Sequence, residues 1–257
     1  MDKFRELTLP AILQHSIIPI LQGDMQNDLP PHFDSPYIKD SMNAVVISDL
    51  HLESVHTLSE QIALFIESLP DKCDLILNGD IIDSSYPNLP RENLQILELI
   101  GQESFRRNIV WIRGNHDDCS LLRNRGRIHF KRIHAIANRL LITHGNELDK
   151  TKARIQQLLR PFKLIQFILV KSGLKPVNVA QFASRFELFY RLYRKKLMLD
   201  AVKFAKEKGF GAITCGHTHH PEDRNIQGVR YINTGAWTEY PPHYLLVNDS
   251  EIRLKSV

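Results

Sequence analysis

The sequence predicts an α/β fold, and three observations carry that prediction. Short apolar runs recur along the chain, helical patterns lie between the early ones, and each run ends in a cluster drawn from Asp, Asn, His and Gly. Alternation of strand and helix periods marks a parallel or mixed sheet with crossover helices. In such sheets the loops beyond the carboxyl ends of the strands form the ligand crevice. A chain of 257 residues that is 43% hydrophobic is long and apolar enough for one large domain carrying an insertion.

Residues 1–42 hold Pro10, Pro19, Pro30, Pro31 and Pro36 with little periodicity and read as an N-terminal extension. Lys3 and Arg5 precede the stretch Leu9 to Leu21, but Pro10, Gln14, His15 and Pro19 interrupt it and no small-residue cleavage site follows. A secretion signal is therefore not expected. Within a domain spanning 43–257, strands are predicted at Ala44–Ser48, Leu75–Asn78, Ile109–Ile112, Leu140–Thr143 and Ala212–Cys215, with helices over Leu58–Leu69 and Leu94–Ile100. Between His144 and His217 the pattern changes to two long helices, Thr151 to about Lys171 and Val177 to about Lys208, separated at Gly173 and Pro176. Residues 150–208 thus read as a helical insertion. Val229–Ile232, Tyr244–Val247 and Ile252–Lys255 read as closing strands, several short enough to pair as hairpins.

Three widely spaced cysteines, Cys73, Cys119 and Cys215, make no CxxC pair. They exclude a secreted disulfide scaffold and fit a reducing, cytoplasmic setting. The net charge of +4 is unevenly spread: residues 150–208 hold 15 Lys and Arg against 3 Asp and Glu, so the remainder of the chain is acidic. The insertion is built to meet something anionic.

The chemistry-bearing clusters are Asp49-Leu50-His51, Gly79-Asp80-Ile81-Ile82-Asp83, Gly114-Asn115-His116-Asp117, His144-Gly145 and Gly216-His217-Thr218-His219. Residues i and i+2 leaving a strand project to the same side, so DLH and HTH can each present two groups to one region. Mixed carboxylate, imidazole and amide donors suit a divalent Mn, Fe, Zn or Co ion, whereas the lack of a Cys cluster argues against a structural zinc knot. Two ions about 3.5–4 Å apart are a usual arrangement for in-line displacement at phosphorus. Each motif alone has a plainer reading as turn or helix cap, and Asp117 and Asp118 in particular read as caps for a helix near Cys119. His15, His32, His129, His134 and His243 fit none of the clusters and read as surface or structural residues.

Taken in order, the clusters match DxH, GDxxD, GNH[D/E], H and GHxH, and over about residues 44 to 219 the chain resembles the calcineurin-like metallophosphoesterases. The resemblance implies a four-layer α/β/β/α sandwich and a dinuclear centre, with Mn the foremost candidate. By it, Asp49, His51, Asp80 and His219 hold one metal, Asp80, Asn115, His144 and His217 hold the other, and Asp80 bridges them. His116, oriented by Asp83, resembles the catalytic histidine that stabilises developing charge or protonates the leaving oxygen, and Asn115 shares in stabilising the phosphoryl oxygens. Asn233-Thr234-Gly235 resembles the family's recurring Asn-x-Gly turn near the site.

The insertion, CGHTHHPE and the downstream NTGAW are similar to the lipid A pathway diphosphatases that cleave UDP-diacylglucosamine and to their paralogues, which carry a helical lid here. One departure is that the best-known diphosphatases have Arg where this chain has His116. The resemblance implies hydrolysis of a phosphoester or pyrophosphate bond, with a nucleotide-linked lipid as substrate and peripheral contact with the inner face of a membrane through the insertion. The residues themselves leave other readings open. Leu158–Val170 is apolar on more than one face, and Arg154, Arg160, Arg185, Arg191, Arg194, Lys195 and Lys196 could hold phosphates or anionic head groups. The same pattern fits an ordinary helical hairpin, and the alternative substrates are small nucleotides or nucleic acid. Because the motifs lie outside the insertion, replacing residues 152–206 by a linker is expected to spare metal binding.

Overall fold

The structure, a computed structural model, describes residues 44–54, 56–82, 89–117, 126–149 and 179–257, the segment 179–189 by its backbone alone. Strands β1 (Ala44–Ile47), β2 (Asp74–Asn78), β3 (Ile109–Ile112) and β4 (Ile128–Lys131) run parallel. Helix α1 (Ser59–Glu67) joins the first two, and α2 (Arg91–Glu103) lies between the second and third. With β10 (His243–Val247) and β11 (Ile252–Ser256) added antiparallel, they form a six-stranded sheet in the order β11-β10-β1-β2-β3-β4. The second sheet has the order β5-β6-β7-β9-β8, from β5 (Ile133–Ile136), β6 (Leu140–Thr143), β7 (Ala212–Cys215), β8 (Glu222–Ile226) and β9 (Val229–Asn233).

Period-2 alternation sorts the core into three slabs. Val45, Ile47, Leu75 and Leu77 face Ile62, Phe65, Ile66, Ile96 and Leu97 of the two helices. Their neighbours Ala44, Val46 and Ile76 face Ile142, Ala212 and Ile232 of the second sheet. Leu141, Ile213 and Tyr231, on that sheet's outer side, pack on Met198, Ala201, Val202 and Ala205 of α3 (Val179–Glu207). The result is helices, sheet, sheet, helix, the predicted four-layer α/β/β/α sandwich.

The predicted strands and the two early helices form within a few residues of the expected bounds. Three strands escape the apolar pattern: β4, β5 and β8 lie at sheet edges, where alternate residues meet water and polar side chains are favoured. The chain changes sheets between β4 and β5 with Arg132 alone between them. The closing strands also divide, β9 into the second sheet and the β10–β11 hairpin into the first. The predicted extension 1–42 and the helix Thr151 to Lys171 lie outside the described residues, while α3 realises most of the Val177–Lys208 helix. No described helix is long and apolar enough to cross a membrane. Cys73 and Cys215 are buried free thiols whose pKa values burial pushes up to about 11 and about 12, so both are inert thiols at neutral pH.

Candidate metal centre

Backbone hydrogen bonds continue beyond the strand ends and sew the loops together. Asp49 N donates to Gly79 O at 3.0 Å, His51 N to Asp80 O at 3.1 Å, Gly216 N to His144 O at 3.0 Å and Trp237 N to Asp49 O at 3.0 Å. Loops from both sheets therefore share one framework at the carboxyl ends of β1, β2, β6 and β7. Asn233 Nδ2 donates to Gly216 O, and Asn233 Oδ1 accepts from Gly235 N at 2.9 Å, so the predicted Asn-x-Gly turn braces the GHTH loop. Gly235 sits at φ +71, consistent with its expected backbone role.

Seven non-glycine residues have positive φ among the described residues, and five of them are Asp49, His51, Asp80, His217 and His219. Left-handed backbone costs of order 1–3 kcal/mol at a non-glycine residue and persists only where the surroundings impose it. Its concentration here marks the loops as shaped for a site at the expense of stability. It also replaces the pleat as the device that aims these side chains: His217 and His219, though two apart, enter different groups.

Those groups are two triplets, Asp49 with His51 and His219, and Asp80 with His144 and His217, each with its candidate ligand atoms within 4.8 Å of one another. In the first, His51 Nε2 and His219 Nε2 stand 3.1 Å apart and His219 Nε2 is 3.3 Å from Asp49 Oδ1. In the second, His144 Nε2 lies 3.2 Å from Asp80 Oδ2 without the alignment of a hydrogen bond. Asp80 belongs geometrically to the second triplet, and its charge also raises the pKa of His51.

The far nitrogens of three of the histidines are engaged, which decides what the near ones present. His51 Nδ1–H donates to Glu53 Oε1 at 3.2 Å, and His144 Nδ1–H donates to the Asn78 carbonyl at 2.8 Å. His217 Nε2 lies 3.2 Å from Asp149 Oδ2 and 3.1 Å from the Tyr193 hydroxyl, leaving Nδ1 available to a cation. Glu53, Asp149 and Tyr193 were not legible as site residues: Glu53 is i+2 from a motif histidine, a weak local signal, and the other two become neighbours of His217 only through the fold.

The helix near Cys119 for which the sequence suggests Asp117 as a cap lies outside the described residues, and Asp117 is engaged by backbone amides of two loops. Its Oδ1 accepts from Ile81 N and Ile82 N at 2.8 and 3.2 Å, and its Oδ2 from Asp80 N and Gly114 N at 3.0 and 2.7 Å. It clamps the Asp80 loop to the loop after β3. Burial pushes its carboxyl pKa up, against the amide donors. With two amides on each oxygen, no position is left for a proton and the group is a carboxylate.

His116 N donates to Asp80 Oδ1 at 3.0 Å, and its ring meets that of His51 edge-on with centroids 5.9 Å apart, so the histidine stands beside the first triplet. Asn115 is exposed on the same loop. Asp83 lies outside the described residues. His129, His134 and His243 join neither triplet, as expected, and neither does the exposed His220.

Burial alone would raise both central carboxyls, yet His144 and His219 hold Asp49 below the ordinary range, and His144, His116 and His51 hold Asp80 well below it. Conversely, burial pulls on His144, but Asp80 and Asp49 lift it to about 10. Burial outweighs Asp149 at His217 and lowers it. Two ionised carboxylates thus face converging imidazole nitrogens in a buried space, and only shared protons or cations relieve that arrangement. The unpartnered His144 Nε2 and the tautomers imposed by Glu53 and the Asn78 carbonyl fit a pair of divalent cations held by mixed O and N donors.

Close approach explains two of the motif glycines. A Cβ on Gly216 would stand 2.2 Å from Asp49 Oδ2, and one on Gly114 2.1 Å from Asp80 Oδ1. Gly216→Ala is therefore expected to displace Asp49 and weaken cation binding at the first triplet by at least about tenfold, the scale on which disturbed ligand orientation acts. Titration of the metal-free variant with Mn2+ checks this; wild-type affinity at both positions would show that the loop shifts to accommodate the methyl group.

Residues 42–221 match the family model described as calcineurin-like phosphoesterase. Among solved structures, the chain is similar to Yfce, a phosphoesterase from E. coli, at 16% identity over 83% of this chain and 97% of that one, with a TM-score of 0.43. Wild-type Vps29 of Entamoeba histolytica in complex with zinc is 13% identical over 83% and 97%, with a TM-score of 0.39. A predicted phosphoesterase from Streptococcus pneumoniae is 13% identical over 85% and 90%, with a TM-score of 0.37. No curated protein matches the sequence.

Proposed function

This chain belongs to the calcineurin-like phosphoesterase family, a family of metal-dependent phosphoester hydrolases, and from that premise we propose a dinuclear enzyme that cleaves a phosphoester or pyrophosphate bond in an anionic amphiphile. The observation that carries the reading is the pair of Asp/His triplets. Asp49, His51 and His219 would hold one cation and Asp80, His144 and His217 the other, with Asp80 and Asn115 available as further ligands. Such cations polarise phosphoryl oxygens and lower the pKa of water. The chain's own residues do the rest. Asp117 fixes the amides around Asp80, Asn115 is available to a phosphoryl oxygen, and His116, oriented by Asp83, delivers a proton to the leaving oxygen.

The substrate class rests on α3. Tyr190 donates to the carbonyl of Thr218 in the GHTH loop, so this helix adjoins the site. It also exposes Leu192 at 57% and Leu199 at 40%, beside Arg191, Lys195 and Lys196. Exposed apolar and basic groups on a helix whose other face meets the phosphoesterase centre favour a substrate with both an acyl and an anionic part, such as a UDP-diacylglucosamine-like nucleotide lipid, met at a membrane surface. Arg154, Arg160 and Arg185, invoked from the sequence for the same purpose, lie outside the described side chains.

The test is to strip the full chain of metal, restore Mn2+ or Zn2+, and compare an aryl phosphodiester with UDP-diacylglucosamine and its deacylated form. Metal-dependent cleavage of the diester is expected, with the acylated lipid preferred in kcat/KM by more than about tenfold, the equivalent of burying two methylenes at ~0.8 kcal/mol each. Equal turnover with and without acyl chains would favour a phosphodiesterase of small nucleotides. No metal-dependent hydrolysis of any of them would overturn the enzymatic reading.

A further inference from the structure

We propose that Tyr193, on α3, is a positioning residue for the second cation: with Asp149 it fixes the tautomer and angle of His217. The proposal rests on the dinuclear reading above. Three polar atoms form a closed triangle. The Tyr193 hydroxyl donates to Asp149 Oδ2 at 2.6 Å, while His217 Nε2 is 3.2 Å from that same oxygen and 3.1 Å from the tyrosine oxygen. Only one distribution of hydrogens satisfies all three contacts. The carboxylate accepts from Tyr193, and His217 Nε2–H is shared between the carboxylate and the tyrosine oxygen. That leaves Nδ1 as the nitrogen through which His217 can join Asp80 and His144 around a cation.

Two corners of the triangle are buried, the His217 and Asp149 side chains being 8% and 2% exposed, while Tyr193 is half-buried, so loss of a partner leaves the buried pair short of a hydrogen bond. His217 needs such support because its backbone stands at φ +65, a conformation that its own sequence does not favour. A second tyrosine one turn earlier, Tyr190, donates to the Thr218 carbonyl next in the chain. One face of α3 thus grips both the backbone and the imidazole of the GHTH loop. Within the described residues, α3 thereby couples the insertion to the metal centre. On this proposal, removal of residues 152–206 would not spare metal binding, since both tyrosines lie within that span.

The consequence is selective. The other triplet has its own support in Glu53 behind His51, so loss of the triangle acts on the cation at Asp80, His144 and His217 and leaves the one at Asp49, His51 and His219 in place. Removing a group that orients a metal-bound histidine typically costs 10–100-fold in metal affinity. In metal-free full-length protein titrated with Mn2+, Tyr193→Phe is expected to weaken the second binding event about tenfold and Asp149→Ala about a hundredfold. Asp149→Asn, which keeps an acceptor oxygen, should fall between them. The electron paramagnetic resonance signal of a spin-coupled Mn2+ pair should disappear from both stronger variants at a 2:1 loading that produces it in the wild type.

Thermal unfolding of the metal-free proteins separates positioning from bulk destabilisation. Wild-type affinity at both positions in Tyr193→Phe and Asp149→Ala would overturn the proposal, as would equal weakening of both positions. Should the wild type itself bind fewer than two ions, the dinuclear reading falls and this inference with it, a result distinguishable from failure of the variants alone.

Discussion

Asp80→Ala is expected to abolish hydrolysis and to leave the chain with at most one divalent cation. The carboxylate is 2% exposed, faces His144 Nε2 through Oδ2 and accepts the His116 amide through Oδ1. Its loss removes a ligand, a counter-charge and the acceptor of a part-buried amide in one step. The counter-charge matters most. Two unit charges 4 Å apart interact by about 4 kcal/mol at an effective dielectric of 20, so two dications at the spacing usual for such centres repel by about 16 kcal/mol unless a shared anion offsets it. Asp49 lies in the other triplet and does not replace it. Metal analysis of the purified variant, with hydrolysis of an aryl phosphodiester measured in parallel, checks the expectation. Two retained cations with full activity would falsify the central role of Asp80, and retained cations without activity would confine that role to placing His116.

His116→Asn is expected to slow substrates with poor, high-pKa leaving groups by about 10²–10⁴-fold while sparing activated aryl esters, since general acid catalysis acts where the leaving oxygen needs a proton. The residue is well placed for this. Its amide is tied to Asp80, its ring stands beside that of His51, and it belongs to neither triplet, so its replacement should leave both cations bound. Asp83→Asn should show a milder form of the same defect. The measurement is log kcat/KM against leaving-group pKa for the wild type and both variants, with bound metal quantified. A uniform drop across all leaving groups would assign His116 to charge stabilisation on the phosphoryl oxygens instead, and loss of metal would make it a ligand.

These predictions draw on residues that the sequence announces to different degrees. Asp49, His51, Asp80, His144, His217 and His219 were all legible, because each follows an apolar run that must be a strand and strand ends in such folds converge. The same local patterning, period 2 in the strands and near 3.6 in α1 and α2, specified an α/β fold, and the four layers came from the family resemblance. Edge strands β4, β5 and β8 were hidden because an exposed edge has no need of the apolar alternation that betrays a buried strand.

What sequence alone determined, then, is the set of apolar strands, the clusters that follow them and the chemistry of the donors; each is a property of residue type and short-range spacing. Tertiary structure decided how the donors divide. Pleat alternation would send His217 and His219 to one place, and left-handed backbone at both positions sends them to two. It also decided which residues stand behind the ligands. Asp117 reaches the amides of a loop 35 to 37 positions away, and Tyr193 meets Asp149 across 44 residues, contacts that no local period encodes. The physical reason is one of range: burial and propensity are written in neighbouring residues, whereas the angle of an imidazole is set by whatever the stacked sheets and α3 bring against its far nitrogen.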